Sequence, residues 1–141
     1  MAPEPRRAVP AAAGTSDCGD LLDDDNVVFP AEMDEVLAVT GISYPQGGVP
    51  CGIHRGGEVD LTAYLDVPTT GRSTGEVTSI GGSSNATAVV AGIAALAWQA
   101  NPGMTRDQLR ARLQASGSLY PARSSTMGFG LVNAHRAVTG Q

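Results

Sequence analysis

Ser83 and Ser84 follow two glycines, Gly81 and Gly82, and open a run that carries no charged side chain as far as Ala100. The stretch Gly81 to Trp98 reads as a helix buried all round, apolar on every face. Such a helix belongs in a domain core or a membrane, and this one is too short, too rich in alanine and too polar at its start for a membrane span. Its first turn has unpaired backbone N–H groups and a partial positive charge, so an anion or a developing oxyanion is favoured beside Ser83, Ser84 and Asn85. Two chemistries fit. A serine hydroxyl is a nucleophile once a base takes its proton; equally, these three residues are ordinary helix caps. The helix by itself favours capping.

Other residues with chemical capacity are scattered. His54 sits in a glycine-rich loop and His135 in the last helical stretch, and both read as surface residues. Cys18 and Cys51 are the only cysteines and form no metal-ligand cluster; one disulfide and two buried thiols both remain open. Ser16 to Asn26 holds five aspartates and no basic residue, which is a solvated loop, with cation binding as the alternative. Glu58 and Asp60 read as exposed acids flanking a strand.

The elements that must position these residues alternate between strand and helix. Ala8 to Ala13 is a short buried strand ending at Gly14-Thr15. Glu35 to Ile42 is continuously aliphatic or β-branched, as in a strand buried on both faces of a parallel sheet. Val59 to Leu65 is a further strand, reached through a Gly- and Pro-rich loop over Ser43 to Gly57 and left through a Pro/Thr/Gly-rich connection to Ile80. After the apolar helix, Asn101-Pro102-Gly103 is a stop. Thr105 to Gln108 offers a capping box for a second helix, with Leu109 and Leu113 on one face and Gly117 at its end. Gly128 to Ala134 is a glycine-bounded turn feeding a short terminal helix.

The 141 residues fit one domain. Aromatics make up 4% and there are 18 glycines, so packing rests on Ala, Val and Leu with many tight turns. A net charge of -5 gives no basic footprint, which argues against nucleic acid or an anionic membrane as partner. No apolar run reaches membrane length, and Met1 to Arg7 does not read as a signal peptide.

The segment Gly82-Ser83-Ser84-Asn85-Ala86-Thr87-Ala88-Val89-Val90-Ala91-Gly92 resembles the nucleophile motif of the subtilisin-like serine proteases, Gly-Thr-Ser-x-Ala-Ser/Thr-Pro-x-Val-Ala-Gly. Further matches keep the family's order. Ala11-Ala12-Ala13-Gly14 is similar to the strand end before the oxyanion residue, Phe29-Pro30 through Ile42 to the Tyr-Pro…Val-Ile-Ala-Val-Gly segment, and Glu58-Val59-Asp60 to Glu-Leu-Asp-Val. Gly128 to Asn133 is similar to the closing Gly-x-Gly-x-Ile/Val-Asn. The resemblance implies an α/β fold: three layers, a parallel sheet and a central buried helix. It covers only the C-terminal half of a catalytic domain, residues 8–141, behind a polar extension at 1–7.

The same resemblance implies a serine endopeptidase acting through an acyl-enzyme on Ser84, with protein or peptide substrates. In the family the histidine and aspartate of the triad precede the matched motifs, and no His or Asp here lies in such a motif. A non-catalytic half-domain serving a structural or binding role is the alternative. Thr15 occupies the oxyanion-hole position where the family usually has Asn. Ala13 and Gly14 would line the first specificity pocket, beside a Phe29-Pro30 bond that is often cis in the family. No cofactor is required, although some members hold calcium or sodium at carbonyls matching Ala31, Met33 and Val36 with carboxylates matching Glu58 and Asp60. Most members are secreted. Ala88, in place of the motif's proline, and Tyr64-Leu65, in place of Pro-Gly, depart from the pattern. A half-sheet would also leave an unpaired apolar edge at Ala8–Ala13 or Val36–Ile42.

Overall fold

A computed structural model describes residues 8–19, 24–45 and 47–141. The extension at 1–7 and part of the acidic loop, residues 20–23, lie outside the described residues. Strands β1 (Pro10–Ala12), β2 (Leu37–Ile42) and β3 (Leu61–Tyr64) form a parallel sheet in that order. Register pairs Ala11 with Ala38 and Thr40 with Thr62. Every residue of β2 is buried, as its unbroken apolar pattern requires of a central parallel strand. Beyond β3 the segment 129–132 continues the pairing, with the Val132 N–H donating to the Thr62 carbonyl. The opposite edge, β1, has no further strand among the described residues.

Helix α1 (Ser83–Ala100) packs on one face of the sheet, and α2 (Arg106–Ala115) and α3 (Ala134–Thr139) pack around it. Val39, Leu61, Val90, Leu109 and Leu113 make the main core there; Ala13, Val27, Ala31, Ala38 and Val59 form a smaller one. The capping box of α2 closes both ways: the Gln108 N–H donates to Thr105 Oγ1, and the Thr105 N–H donates to Gln108 Oε1. Its last helical residue is Ala115, with Ser116 rather than Gly117 as the cap.

Two expectations change. Helix α1 is not buried all round. Ser83, Ala86, Val90, Ala94 and Ala97 form one buried stripe, while Leu96 is 54% exposed on the other side. Small residues make both faces look alike in sequence; spacing of 3 or 4 alone selects the stripe that meets the sheet. Second, the connection before α1 is not irregular. It contains an antiparallel hairpin, β4 (Val67–Thr70) with β5 (Val77–Ile80). Pro68 lies in this two-stranded ribbon, where an edge position tolerates a missing donor.

Candidate active site

The site is built at the start of α1 by residues from three distant stretches. Gly82 is the N-cap with φ 101°, a conformation that favours glycine, and it makes no side-chain cap hydrogen bond. Capping, the reading favoured by the helix alone, is therefore not what Ser83, Ser84 and Asn85 do. Ser83 is buried and donates from Oγ to the Gly14 carbonyl at 2.8 Å, while the Gly14 N–H approaches the same Oγ at 3.3 Å. Asn85 donates from Nδ2 to the Leu65 carbonyl. Ser84, between them, is exposed, and its hydroxyl makes no hydrogen bond among those found for the described residues. Thus the two neighbours anchor the turn, and the hydroxyl between them faces outward.

Thr15 belongs to this anchoring. Its Oγ1 accepts from the Ser83 N–H at 3.1 Å and lies 2.9 Å from Ser83 Oγ. Because the single Ser83 hydroxyl proton is directed at the Gly14 carbonyl, the proton between the two hydroxyls comes from Thr15. The Thr15 hydroxyl is thus already engaged in a structural tie. The Ser84 N–H, at the positive end of α1, is the other donor such a site would use.

The strand end at Ala13 and Gly14 is fully buried and fixed from behind by His54. The His54 N–H donates to the Gly14 carbonyl at 3.0 Å, and its own carbonyl accepts from Thr40 Oγ1 at 2.6 Å. Its Nδ1 lies 2.7 Å from the Asn26 carbonyl, so Nδ1 carries the proton and donates. Only 6% of His54 is exposed, which overturns its reading as a surface residue, whereas His135 is exposed as expected. A glycine-rich neighbourhood suggested a loop open to solvent. Instead, Gly14 leaves room for the ring: a Cβ there would meet His54 Cγ and Nδ1 at 2.7 Å. That packing has no signal in a single sequence.

A short ribbon holds this corner to the rest of the chain. Thr15 pairs with Ile53 as an antiparallel bridge, the Ser16 N–H donates to the Gly52 carbonyl, and Cys18 is disulfide-bonded to Cys51. Asp24 closes it by accepting from the Gly52 N–H at 2.9 Å and from Ser16 Oγ at 3.1 Å. The Gly52 N–H, above all, holds the Asp24 carboxyl below its usual value; burial opposes it, and the Ser16 hydroxyl and the Arg55 charge add smaller lowering effects. The Phe29-Pro30 peptide is cis.

Ala31, Met33, Val36, Glu58 and Asp60 all border one cleft of about 410 Å³, together with Arg110, Gln114 and Arg123. Asp60 is buried, and its carboxylate accepts from the Ala38 N–H, from Gln114 Nε2 at 2.8 Å and from Arg110 Nη2 at 3.0 and 3.2 Å. Its reading as an exposed acid is thereby corrected. Its lone pairs serve protein donors, so a cation in this cleft would compete with a guanidinium for it. Among the described residues, no group of three or more His, Cys, Asp or Glu side chains has a metal-binding arrangement.

Comparison with known proteins identifies the family. The sequence matches Peptidase_S8, the subtilase family, over residues 4–130. It is 32% identical over 130 residues to a halolysin-like extracellular serine protease, Nep, of Natrialba magadii, a match covering 92% of this chain and 23% of that protein. Among solved structures it is similar to a protease from Pseudoalteromonas arctica PAMC 21717, with TM-score 0.74, 27% identity, and coverage of 96% of this chain and 43% of the other. MycP1 from Mycobacterium smegmatis gives TM-score 0.77 at 21% identity, covering 95% and 42%, and shows the likeness of fold. The chain thus spans 23% of the curated relative and less than half of these solved proteases. A parallel sheet, a central helix opened by Gly82-Ser83-Ser84 and a family match over most of the sequence place this chain in the subtilase family.

Proposed function

We propose that this chain carries the nucleophile of a serine endopeptidase, with Ser84 attacking the scissile carbonyl to form an acyl-enzyme. The observation that carries the proposal is the exposed Ser84 hydroxyl between two anchored neighbours, at the positive end of α1. The proton of Ser84 must pass to a histidine held by a carboxylate. Neither His54, turned into the core, nor His135 lies in a segment resembling the family's histidine motif, so both groups come from residues outside this chain. The edge at β1, with no further strand among the described residues, is where such residues would join the sheet. The tetrahedral oxyanion would lie against the Ser84 N–H, with Thr15 as second donor once its hydroxyl turns from Ser83. Ala13 and Gly14 would wall the first specificity pocket.

Substrates are proteins or peptides. The disulfide and the extracellular relative support a secreted setting; no helix among the described residues is long and apolar enough to cross a membrane. No cofactor takes part in acyl transfer of this kind. A calcium or sodium ion at the 31–36 carbonyls and Glu58 is supported by their convergence on one cleft and opposed by the hold of Arg110 on Asp60. Calcium raising Tm, with chelator reversing it, would establish the ion; identical Tm values would remove it.

Genomic sequence tests the reading at little cost. Coding sequence upstream of Met1 with an Asp-Thr/Ser-Gly strand and a His-Gly-Thr helix start supports it. Intact upstream sequence without them favours the alternative, a non-catalytic half-domain.

A further inference from the structure

At the far end of α1 from Ser84, about 24 Å along the axis, lies a second cleft. It has a volume of about 1000 Å³ and is bordered by the turn after α1, by α2 and by α3. Arg112 of α2 and Arg136 of α3 both line it, and among the described residues no Asp or Glu side chain does; the terminal residue Gln141 borders it as well. In a chain of net charge -5 this is a local excess of positive charge. Neither guanidinium belongs to an ion pair among the described residues. Arg112 is the more telling of the two. Its Nη1 is buried without a hydrogen-bond partner among the described residues, pressed against Gly140, where a Cβ would stand 2.2 Å from it.

A buried guanidinium N–H without an acceptor carries a desolvation cost. Proximity to the C-terminal carbonyls of α3 offsets part of its charge. It satisfies none of its donors. Beside it, Gln108 spends its amide oxygen on the Thr105 N–H, leaving its NH2 group as a further donor at the rim. The Tyr120 ring and Met104 give the cleft an apolar wall. Guanidinium forks match the oxygens of carboxylate and phosphate two at a time.

We propose that this cleft is a binding site for an oxyanion, a carboxylate or phosphate group held between Arg112 and Arg136. The site is independent of the peptidase reading, because none of its residues touches the start of α1. The probe is inorganic phosphate, with acetate as the carboxylate arm, titrated into the 141-residue chain at constant ionic strength made up with chloride. A saturable rise in Tm of a few degrees is expected. It should disappear in Arg112→Gln and in Arg136→Gln and persist in Arg72→Gln, an exposed arginine in the β4–β5 turn. A larger effect of phosphate assigns a tetrahedral ligand, and a larger effect of acetate assigns a carboxylate. Arg136 is exposed, so its variant decides the matter even if Arg112→Gln fails to fold. No rise beyond chloride, or an equal rise in the Arg136 variant, overturns the site.

Discussion

Thr15 and Ser83, 68 positions apart, are tied twice: the Ser83 N–H donates to Thr15 Oγ1 at 3.1 Å, and the two hydroxyls lie 2.9 Å apart. Thr15, proposed above as an oxyanion donor, thereby ties the turn that presents Ser84. Thr15→Val keeps the shape and removes both ties, leaving the Ser83 N–H unpaired at a cost of about 1–3 kcal/mol. Urea unfolding should show that loss. Thr15→Asn replaces the tie with an amide donor, so it should also lower stability while raising the rate of acylation in a completed enzyme. Unchanged stability in Thr15→Val would show that the tie does not hold the turn.

Gly14 and His54 fit against each other. Gly14→Ala forces a side chain into φ 133° and into the imidazole, and should cost roughly 2–4 kcal/mol from backbone strain and overpacking. His54→Ala removes the obstruction but leaves a cavity. The double variant should therefore be less destabilised than the sum of the two, by about 1 kcal/mol or more in a double-mutant cycle. Strict additivity would mean that the ring does not set the position of the Gly14 strand end.

The Cys18–Cys51 disulfide closes a loop of sequence separation 33 beside Thr15. Loop-closure entropy gives it about 3–4 kcal/mol of stabilisation. Calorimetry with and without reductant should show a large drop in Tm, and a Cys18→Ser/Cys51→Ser variant should match the reduced protein. A reduced protein as stable as the oxidised one would contradict this.

Asp24 gives the ribbon a pH dependence of known sign. Its carboxyl is held below the usual 3.8 in the folded state, chiefly by the Gly52 N–H. The folded state therefore binds this proton less readily than the unfolded state, and the stabilisation is complete above that ordinary value and lost as pH falls through the lowered one. Acid titration of Tm should show a steeper decline below about pH 4 in the native chain than in Asp24→Asn. Parallel curves would remove Asp24 from the account.

Much of the frame was legible because its signals are local. The aliphatic run ending at Ile42 and the capping box at Thr105 each declare themselves within a few residues and take the expected form, whereas α1 starts at Ser83 with Gly82, not a serine, as its cap. The hairpin was missed because Pro68, the Gly71 and Gly75 turn and the threonines read as irregular chain, although burial alternates along β4. The family motif singled out Ser84, but the division of labour around it depends on contacts nearly 70 residues apart. Ser83, Thr15 and Gly14 meet only after the sheet has formed, and His54 becomes a core residue only because Gly14 has no side chain.

The central claim, that Ser84 is the nucleophile of a peptidase site completed from outside this chain, is tested by fluorophosphonate labelling read by mass spectrometry. The account predicts no label on the 141-residue chain alone. When the chain is joined to a subtilase segment bearing the family's aspartate and histidine motifs, label should appear on Ser84, persist in Ser83→Ala and vanish in Ser84→Ala. Label on another residue, or none in a folded, joined protein, would contradict it.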